Sequence, residues 1–463
     1  MGEKKYNLVK ALSWYTIGSV LIKSINFISL RLFTELINAN DFGVYGVFQS
    51  YLTIFEMVIL LGTAHSIKMM KYDKEVDYDT YVSSVIYIPI IGTILLLFLT
   101  GCIDFFTGQI ADLPTSMWYI LFVTAGISSV VSIIGSRFIL EGNYRLFIFS
   151  SLINTVTNIG VSVGLCYTIY NNSNAYWARI YGGLTSGIIN CIFLLLFFKP
   201  RKPQIEYIKK GIVLGLPLLV HSVATQVLVQ TDKILISQMC SYSQVGIYTA
   251  AVNLVVIPMT LLSSVEHSWS PWYYESLSKK DYKGIKGINT KILSLFSVGL
   301  VLFILGSPEV VHIMTNKEYW DSVYVLIPLT VSVFAELVYI IPLNLELYYK
   351  KNNAIWLYTT SAVVINIIFD LIFIRSFGYM ASAWVTCASR FILFILHFFR
   401  AKRIDKHTLM NMKVIVVLII LILASSFLTM YVYQNWIVRW SVILIVLLVT
   451  GAYLLRNRKV IMR

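Results

Sequence analysis

Charge is what this sequence has least of. Asp, Glu, Lys and Arg make up 13% of its 463 residues, against about 25% in an average soluble chain. Hydrophobic residues supply 57% and mean hydropathy is +0.75. Apolar runs recur from end to end, so the chain reads as a polytopic membrane protein and almost no stretch is left for a soluble domain. Cysteine is also scarce. Cys102, Cys166, Cys191, Cys240 and Cys387 are scattered, form no CxxC and have no histidine at metal-site spacing, which argues for free thiols rather than a disulfide framework or a metal centre. Catalytic signatures are missing as well. No Walker loop, GxSxG, HExxH or DxD-bearing soluble domain occurs, and no long loop offers room to build an enzyme site.

What is present is a series of spans. A membrane helix rises 1.5 Å per residue and needs about 20 apolar residues. That window gives helices near 9–32, 42–66, 80–103, 116–136, 146–169 and 177–198. A second set lies near 211–238, 245–268, 291–313, 322–346, 354–374 and 379–399, with two more near 412–432 and 436–455. The start, MGEKKYNLVKALSWYTIGSVLIKSINF, has the basic flank of a signal sequence. It lacks a short apolar core with a small-residue cleavage site, and Lys23 interrupts it, so it reads as a retained first helix.

Lys and Arg accumulate on the cytoplasmic side of membrane proteins. Here 29 of the 37 fall in alternate loops, including Lys4, Lys5 and Lys10, then Lys68 and Lys71, Arg137 and Arg145, Arg201 and Lys209, Lys283 and Lys286, and a tail with Arg456, Arg458, Lys459 and Arg463. The opposite loops offer Arg31, Lys317, Arg375 and Arg439, with Arg179 at a helix start. The alternation implies fourteen spans with both termini cytoplasmic. It also accounts for the net charge of +14 as an orientation signal and a contact for anionic lipid, not a nucleic-acid footprint.

Two short matches suggest an internal repeat. FGVYGVFQSY at 42–51 resembles VGIYTAAVNL at 245–254, and LEGNYR at 140–145 resembles LELYYK at 345–350, with offsets of 203 and 205. Each repeat would hold six helices, an even number, so the two would share one orientation, a recurring transporter plan with the substrate site between them. The expected fold is therefore all-α, with one six-helix lobe over 1–200, a second over 201–403, and two further helices over 404–463. Chance similarity of amphipathic loops is the competing explanation of the matches.

Polar residues inside spans carry the functional question, because a charge at the bilayer centre costs about 2.5–3.5 kcal/mol on insertion scales. The first helix places Thr16, Ser19, Lys23 and Asn26 on one face, and the seventh, GLPLLVHSVATQVLVQTDKILISQ, carries His221, Gln226, Gln230, Asp232 and Lys233. Asp232 and Lys233 are adjacent, so they point about 100° apart and each needs another partner. Glu56, Glu266, Glu336, Asp370 and Arg390 also lie within spans. They are either ion pairs fixing helix registry, with Arg390 and Glu336 the readiest pair, or cavity residues. Acids outnumber bases among them, which leaves proton or sodium coupling open. His65, His221 and His267 read as helix–helix contacts before proton relays, and Trp269, Trp272, Tyr273 and Tyr274 as an interfacial aromatic belt.

The stretch GLPLLVHSVATQVLVQTDKILISQMCSYSQVGIYTAAVNL resembles the polysaccharide transporters of the multidrug/oligosaccharidyl-lipid/polysaccharide exporter superfamily. These commonly open their second half with a G-x-P helix, an Asp-basic-apolar run and a small-residue loop into a Gly-apolar-Tyr motif. LRLFTELINANDFGVYGVFQSY at 30–51 resembles the matching junction of the first half. Within the superfamily the chain is most similar to Wzx-type flippases for repeat units of capsule, O-antigen or exopolysaccharide. The resemblance implies two six-helix lobes, alternating access and a substrate carried on undecaprenyl pyrophosphate from the inner to the outer leaflet. It implies no catalytic activity and no cofactor. Membrane lipids, a polysaccharide polymerase and chain-length machinery would be partners. Lys23, Asn26, Arg31, Gln226, Gln230 and Lys233 would line the cavity, and Glu56, Asp232, Glu336, Asp370 and Arg390 would serve in coupling or ion pairing. A lipid II flippase would show more cations on its first helices, and a drug antiporter often holds an acid within helix 1, where this chain has only Glu35 at the outer end. A polymerase would need a long outer loop with arginines.

Overall fold

The computed structural model describes residues 8–71, 73–107, 113–170, 173–351, 355–407 and 409–456. Lys4, Lys5, Arg458, Lys459 and Arg463 lie outside the described residues, as do the side chains of Lys10, Thr16, Ser19, His65, Pro217, His221 and Arg456. All regular structure among the described residues is helical. Lipid offers backbone groups no hydrogen bonds, and a helix satisfies its own.

The chain divides into two compact units, Met1–Gly246 and Ile247–Arg463. The first contains α1 (Leu8–Leu36), α2 (Ala39–Leu60), α3 (Thr63–Met70), α4 (Tyr78–Val85), α5 (Tyr87–Thr107), α6 (Thr115–Leu140), α7 (Tyr144–Thr168), α8 (Tyr176–Phe197) and α9 (Ile205–Met239). The unit boundary falls in the second turn of α10 (Tyr242–Ser278). The second unit continues with α11 (Tyr282–Leu305), α12 (Ser307–Met314), α13 (Ser322–Tyr348), α14 (Ile355–Phe377), α15 (Met380–Ile404), α16 (Met412–Tyr431) and α17 (Trp436–Arg456). Eleven helical stretches among the described residues are long and apolar enough to cross a membrane, α4 and α5 forming one of them, and α17 adds a shorter apolar helix. Those twelve with α1 and α9, of 29 and 35 residues, occupy the fourteen expected places. The protein is a multi-pass membrane protein.

Several boundaries differ from the sequence reading. The second span, expected over 42–66, ends at Leu60 because Leu61 and Gly62 both take left-handed backbone, φ 47° and 69°. The break lets α9 approach: a Cβ on Gly62 would stand 2.3 Å from the Gly215 carbonyl oxygen. The eighth span runs to Ser278 as α10, with Pro258 and Pro271 inside it.

The strongest close approach in the first unit joins residues that the repeat aligns. A Cβ on Gly43 would meet the Tyr242 carbonyl oxygen at 1.7 Å, and a Cβ on Gly246 would meet the Ala39 carbonyl oxygen at 2.0 Å. Ala39 and Tyr242, like Gly43 and Gly246, are 203 residues apart, the offset of the first sequence match. The contact is therefore reciprocal, each helix N-terminus laying its glycine on the other's first turn. Small residues four apart are the usual means of bringing membrane helices into backbone contact. The second sequence match is out of register with the structure. Gly142 and Asn143 N–H close the end of α6 onto Ile139 and Phe138, and Lys350 and Lys351 close α13 onto Leu347 and Glu346 in the same pattern. That equivalence is offset by 208 residues, because LEGNYR contains the turn whereas LELYYK begins in the last helical turn before it.

The strap between α8 and α9 is tied down. Arg201 and Gln204 N–H donate to the Ser83 and Ser84 hydroxyls at 2.9 Å each, and the Arg201 guanidinium reaches Asp77 at 2.6 Å and Asp79 at 2.8 Å. One turn into α9, Lys210 meets Asp73 at 3.1 Å. The Glu75 N–H first and Lys210 next hold the Asp73 carboxyl below the usual carboxylate range, and the Thr80 hydroxyl and Arg201 do the same for Asp77. Beneath the strap, Tyr81, Ile133, Phe138, Leu194 and Phe198 form an apolar cluster joining α4, α6 and α8.

In the second unit α13 is the central element, with 89% of its apolar window buried; α15 packs along it. The aromatic group expected at a membrane interface lies partly in this core instead. Tyr273 is fully buried and donates to the Ile341 carbonyl at 3.3 Å, and Trp269 Nε1 donates to Asn289 at 2.9 Å. Both rings lie on the face of α10 turned toward α11 and α13, where their polar tips find fixed partners.

Gly43→Leu should force the two backbones apart and destabilise the protein by about 1–3 kcal/mol, the usual cost of overpacking. Gly160→Ala, where a Cβ meets nothing within 4 Å, should be neutral. Fluorescence-detected thermal unfolding in detergent checks this; equal midpoints for the two variants would show that the contact carries no strain.

Candidate functional site

In the first unit the polar residues of α9 are organised around Lys233. The residue is buried, at 6% exposure, and its ammonium donates to Gln230 Oε1 at 3.1 Å. The same oxygen accepts from the Ser50 hydroxyl of α2, also at 3.1 Å. Lys233 and Gln230 stand three residues apart on one face of α9, and Ser50 is placed by the second turn after Gly46, whose carbonyl it also meets at 2.9 Å. A lysine has three N–H donors, and the hydrogen bond shown here goes to a neutral amide. Asp232 is likewise buried, at 3%, on the adjacent face. Gln226 lies one turn earlier, half-buried. Sequence spacing anticipated Gln230 and Lys233 on one helix face; Ser50 as their anchor was not legible, because nothing in α2 distinguishes that serine from its neighbours.

On α1, Lys23 and Asn26 are exposed. Lys23 has no ion pair or side-chain hydrogen bond among the described residues. Arg31 does: its guanidinium lies 2.5 Å from Glu35, one turn along, so part of its charge is answered within the helix. Because α9 packs on α2, α3 and α4, Lys23 and Lys233 belong to the same compact unit. Glu56 of α2 is half-buried and has no side-chain hydrogen bond or ion pair among the described residues; only its carbonyl is engaged, by Ser129.

A second polar node, missed from sequence, fixes α8 to α1 and α2. Asp41 is buried and accepts from the Ala175 N–H at 2.7 Å. The Arg179 guanidinium lies 3.8 Å above the Phe33 ring and 4.7 Å from Tyr45, with Asn158 at 3.0 Å. This arginine was legible only as a loop charge; its aromatic partners lie more than 130 residues away.

In the second unit, Arg390 Nη1 stands 3.4 Å from Glu336 Oε2, across α13 and α15. Asp370 of α14 is fully buried. The most enclosed charge cluster was not singled out from the sequence at all. Glu346 is fully buried, with His397 Nδ1 at 2.7 Å and Arg400 Nε at 3.1 Å. The i, i+3 spacing of His397 and Arg400 on α15 puts both on the face toward α13, a signal the sequence contained. Arg439, expected at an outer edge, is buried and ion-paired to Glu309, and donates to the Tyr433 carbonyl at 2.6 Å.

The architecture has counterparts among solved structures. The fold is similar to a lipid II flippase, MurJ, in an inward closed conformation: TM-score 0.71 at 16% identity, over 96% of this chain and 99% of that one. It is also similar to an inward-facing multidrug resistance transporter of the MATE family, at TM-score 0.67 and 13% identity over 85% and 97%. A transporter of the same superfamily from Pyrococcus furiosus aligns at TM-score 0.54 and 14% identity, over 85% and 92%. This is the helical fold of the MOP superfamily of flippases and exporters. The family model described as polysaccharide biosynthesis protein matches residues 32–323, more than half of the chain, and the chain belongs to that family. A protein of the Lsg locus of Haemophilus influenzae is 21% identical over 355 residues, 74% of this chain and 85% of the relative.

The Arg390–Glu336 pair generates a double-mutant prediction. Removing one partner of a half-buried ion pair within membrane helices leaves a charge unanswered, so Arg390→Gln and Glu336→Gln should each lower the yield of folded protein. The double variant should restore most of it. Measured by membrane yield and size-exclusion profile, a double variant no better than the singles would show that the two charges are not each other's partner.

Proposed function

We infer that this protein is a flippase for lipid-linked oligosaccharide, moving repeat units of capsule, O-antigen or exopolysaccharide on undecaprenyl pyrophosphate from the inner to the outer leaflet of the bacterial cytoplasmic membrane by alternating access. The observation that carries this reading is the setting of Lys233: a buried ammonium held by the neutral Gln230–Ser50 pair. A lysine whose task is to fix helix registry is best placed on a carboxylate. One held by neutral acceptors keeps its charge available to an anionic head group, and an ammonium–phosphate contact strengthens as water is excluded. Lys23 supplies a second cation from α1. Asn26, Gln226 and Gln230 offer amides suited to sugar hydroxyls, and Arg31 contributes less because Glu35 answers it.

Coupling falls to acids that lie within the spans. Glu56 fits a proton- or sodium-binding role best, being half-buried and unengaged at its carboxyl among the described residues. Asp232 and Asp370 are further candidates. Glu336 and Arg390 are assigned to structure. The family match favours a polysaccharide precursor over lipid II or a drug, a choice that fold likeness alone does not make. A polymerase and chain-length machinery are the partners that such a substrate requires.

Two experiments test the reading. In a flippase-null strain, Lys23→Ala and Lys233→Ala should reach normal membrane levels yet reduce surface polysaccharide at least tenfold. Arginine at either position should retain part of the activity, since the charge survives while the geometry changes. Full complementation by both alanine variants would remove these lysines from the mechanism. Orientation is tested separately with an impermeant thiol reagent on whole cells, in a background whose native cysteines are replaced by serine. Lys317→Cys should be labelled and Lys209→Cys protected; labelling at 209 would reverse the assignment of the basic loops to the cytoplasm.

A further inference from the structure

Ser50 of α2 meets two oxygens at once. Its hydroxyl stands 2.9 Å from the Gly46 carbonyl and 3.1 Å from Gln230 Oε1. A hydroxyl has one hydrogen, so it donates to one of the two at a time and offers the other only lone pairs. Neither oxygen is stranded when the hydrogen goes elsewhere. The Gly46 carbonyl lies four residues before Ser50 within α2, where the regular helix ladder already gives it the Ser50 N–H. Gln230 Oε1 also accepts from the Lys233 ammonium at 3.1 Å. The serine therefore has a choice that costs little in either direction.

The amide of Gln230 has a matching choice. The oxygen and nitrogen of a side-chain amide are nearly alike in shape, and half a turn of the group exchanges them. With oxygen inward, Ser50 and Lys233 both donate to it, and the amide NH₂ has no acceptor among the described residues. With nitrogen inward, the NH₂ donates to Ser50 Oγ, whose own hydrogen goes to the Gly46 carbonyl. That arrangement satisfies the serine and the amide nitrogen, and it leaves the Lys233 ammonium facing a donor. Ser50 is fully buried whereas Gln230 is half-buried, so the hydroxyl is the fixed part and the amide the moving one. Asp232, the neighbouring charge, is common to both arrangements.

We propose that the Gln230 amide is a two-position switch on Lys233, and that Ser50 is the positioning residue that makes both positions stable. With oxygen inward the ammonium is held. With nitrogen inward it is released, and an arriving phosphate draws the amide over because it binds only the released form. The switch regulates the anion contact inferred above for Lys233 and rests on that reading.

The test reads Lys233 directly, in the full-length protein in detergent at fixed pH. Trace labelling with acetic anhydride, quantified by mass spectrometry at Lys233 and normalised to the exposed Lys317, measures how often the ammonium is released. Ser50→Ala removes the acceptor of the turned amide but leaves Lys233 its oxygen, so labelling should fall at least threefold. A serine that merely steadied the oxygen on Lys233 predicts the opposite sign, since its loss would loosen that oxygen. Ser50→Cys, a weaker acceptor, should lower labelling by less, and it serves as the test should the alanine variant fold poorly. Gln230→Met takes the acceptor away altogether and should raise labelling severalfold. Inorganic pyrophosphate should protect Lys233 in the wild-type protein, and should need a severalfold higher concentration to do so in Ser50→Ala. Unchanged or increased labelling in both serine variants would overturn the switch. Reduced labelling in Ser50→Ala, together with full surface polysaccharide from Lys233→Ala in a flippase-null strain, would uphold the switch and remove the transport role of the lysine instead.

Discussion

The backbones of α2 and α10 touch where Ala39 and Gly43 meet Tyr242 and Gly246, and the arrangement of the first unit follows from that contact. Nothing larger than hydrogen can stand at either glycine. Between lipid-bathed helices there is little hydrophobic drive to associate, so close packing of this kind supplies much of the specificity. With its N-terminal end fixed there, α2 runs down to the Leu61–Gly62 break, where Gly215 of α9 makes a second backbone approach. One contact with α9 and one with the start of α10, which follows it, hold this stretch along α2, and it is between them that Ser50 reaches Gln230, the acceptor of Lys233. The polar node is therefore set by glycines that have no chemistry of their own.

The buried and half-buried charges divide by the kind of partner they have. Glu346 with His397 and Arg400, Arg390 with Glu336, and Arg439 with Glu309 are answered by opposite charge. All three groups join helices of the second unit. Lys233 in the first unit donates instead to one neutral oxygen, Gln230 Oε1, with Asp232 as the neighbouring charge. In low dielectric an ion pair confers registry, whereas a charge held by amides and hydroxyls keeps a strong field for something else. That contrast in partner separates scaffold from candidate site.

Much of this architecture could be read from the chain. The fourteen helices follow from apolar length, and the face shared by Gln230 and Lys233 from a three-residue step. Gly43 and Gly246 were aligned by the motif around them, though only the folded structure brings the two together. What stayed hidden depends on distance in sequence. Asp41 caps a segment at Ala175, and Arg179 lies over Phe33; local pattern cannot report either. The break after Leu60 was missed because Leu61 carries no turn signature, and Gly62 alone reads as a small residue within an apolar run. Trp269 and Tyr273 were assigned to a membrane interface because amphipathic rings near a helix end suit one, yet their polar tips are satisfied inside the second unit.

The strap from Arg201 to Lys210 has a mechanical consequence. A flexible linker would let α9 tilt or slide independently of what precedes it. Here two serine hydroxyls and three aspartates, meeting Arg201 and Lys210, bind the strap and the start of α9 to the α3–α4 corner. Torque applied to α9 near its basic end is therefore delivered to α4. Displacement can grow only farther along the rod, in the stretch that carries Gln226, Gln230 and Lys233. The strap acts as one of two clamps on this rod, the glycine contact at the start of α10 being the other, and their stiffness together sets how far the buried lysine can move.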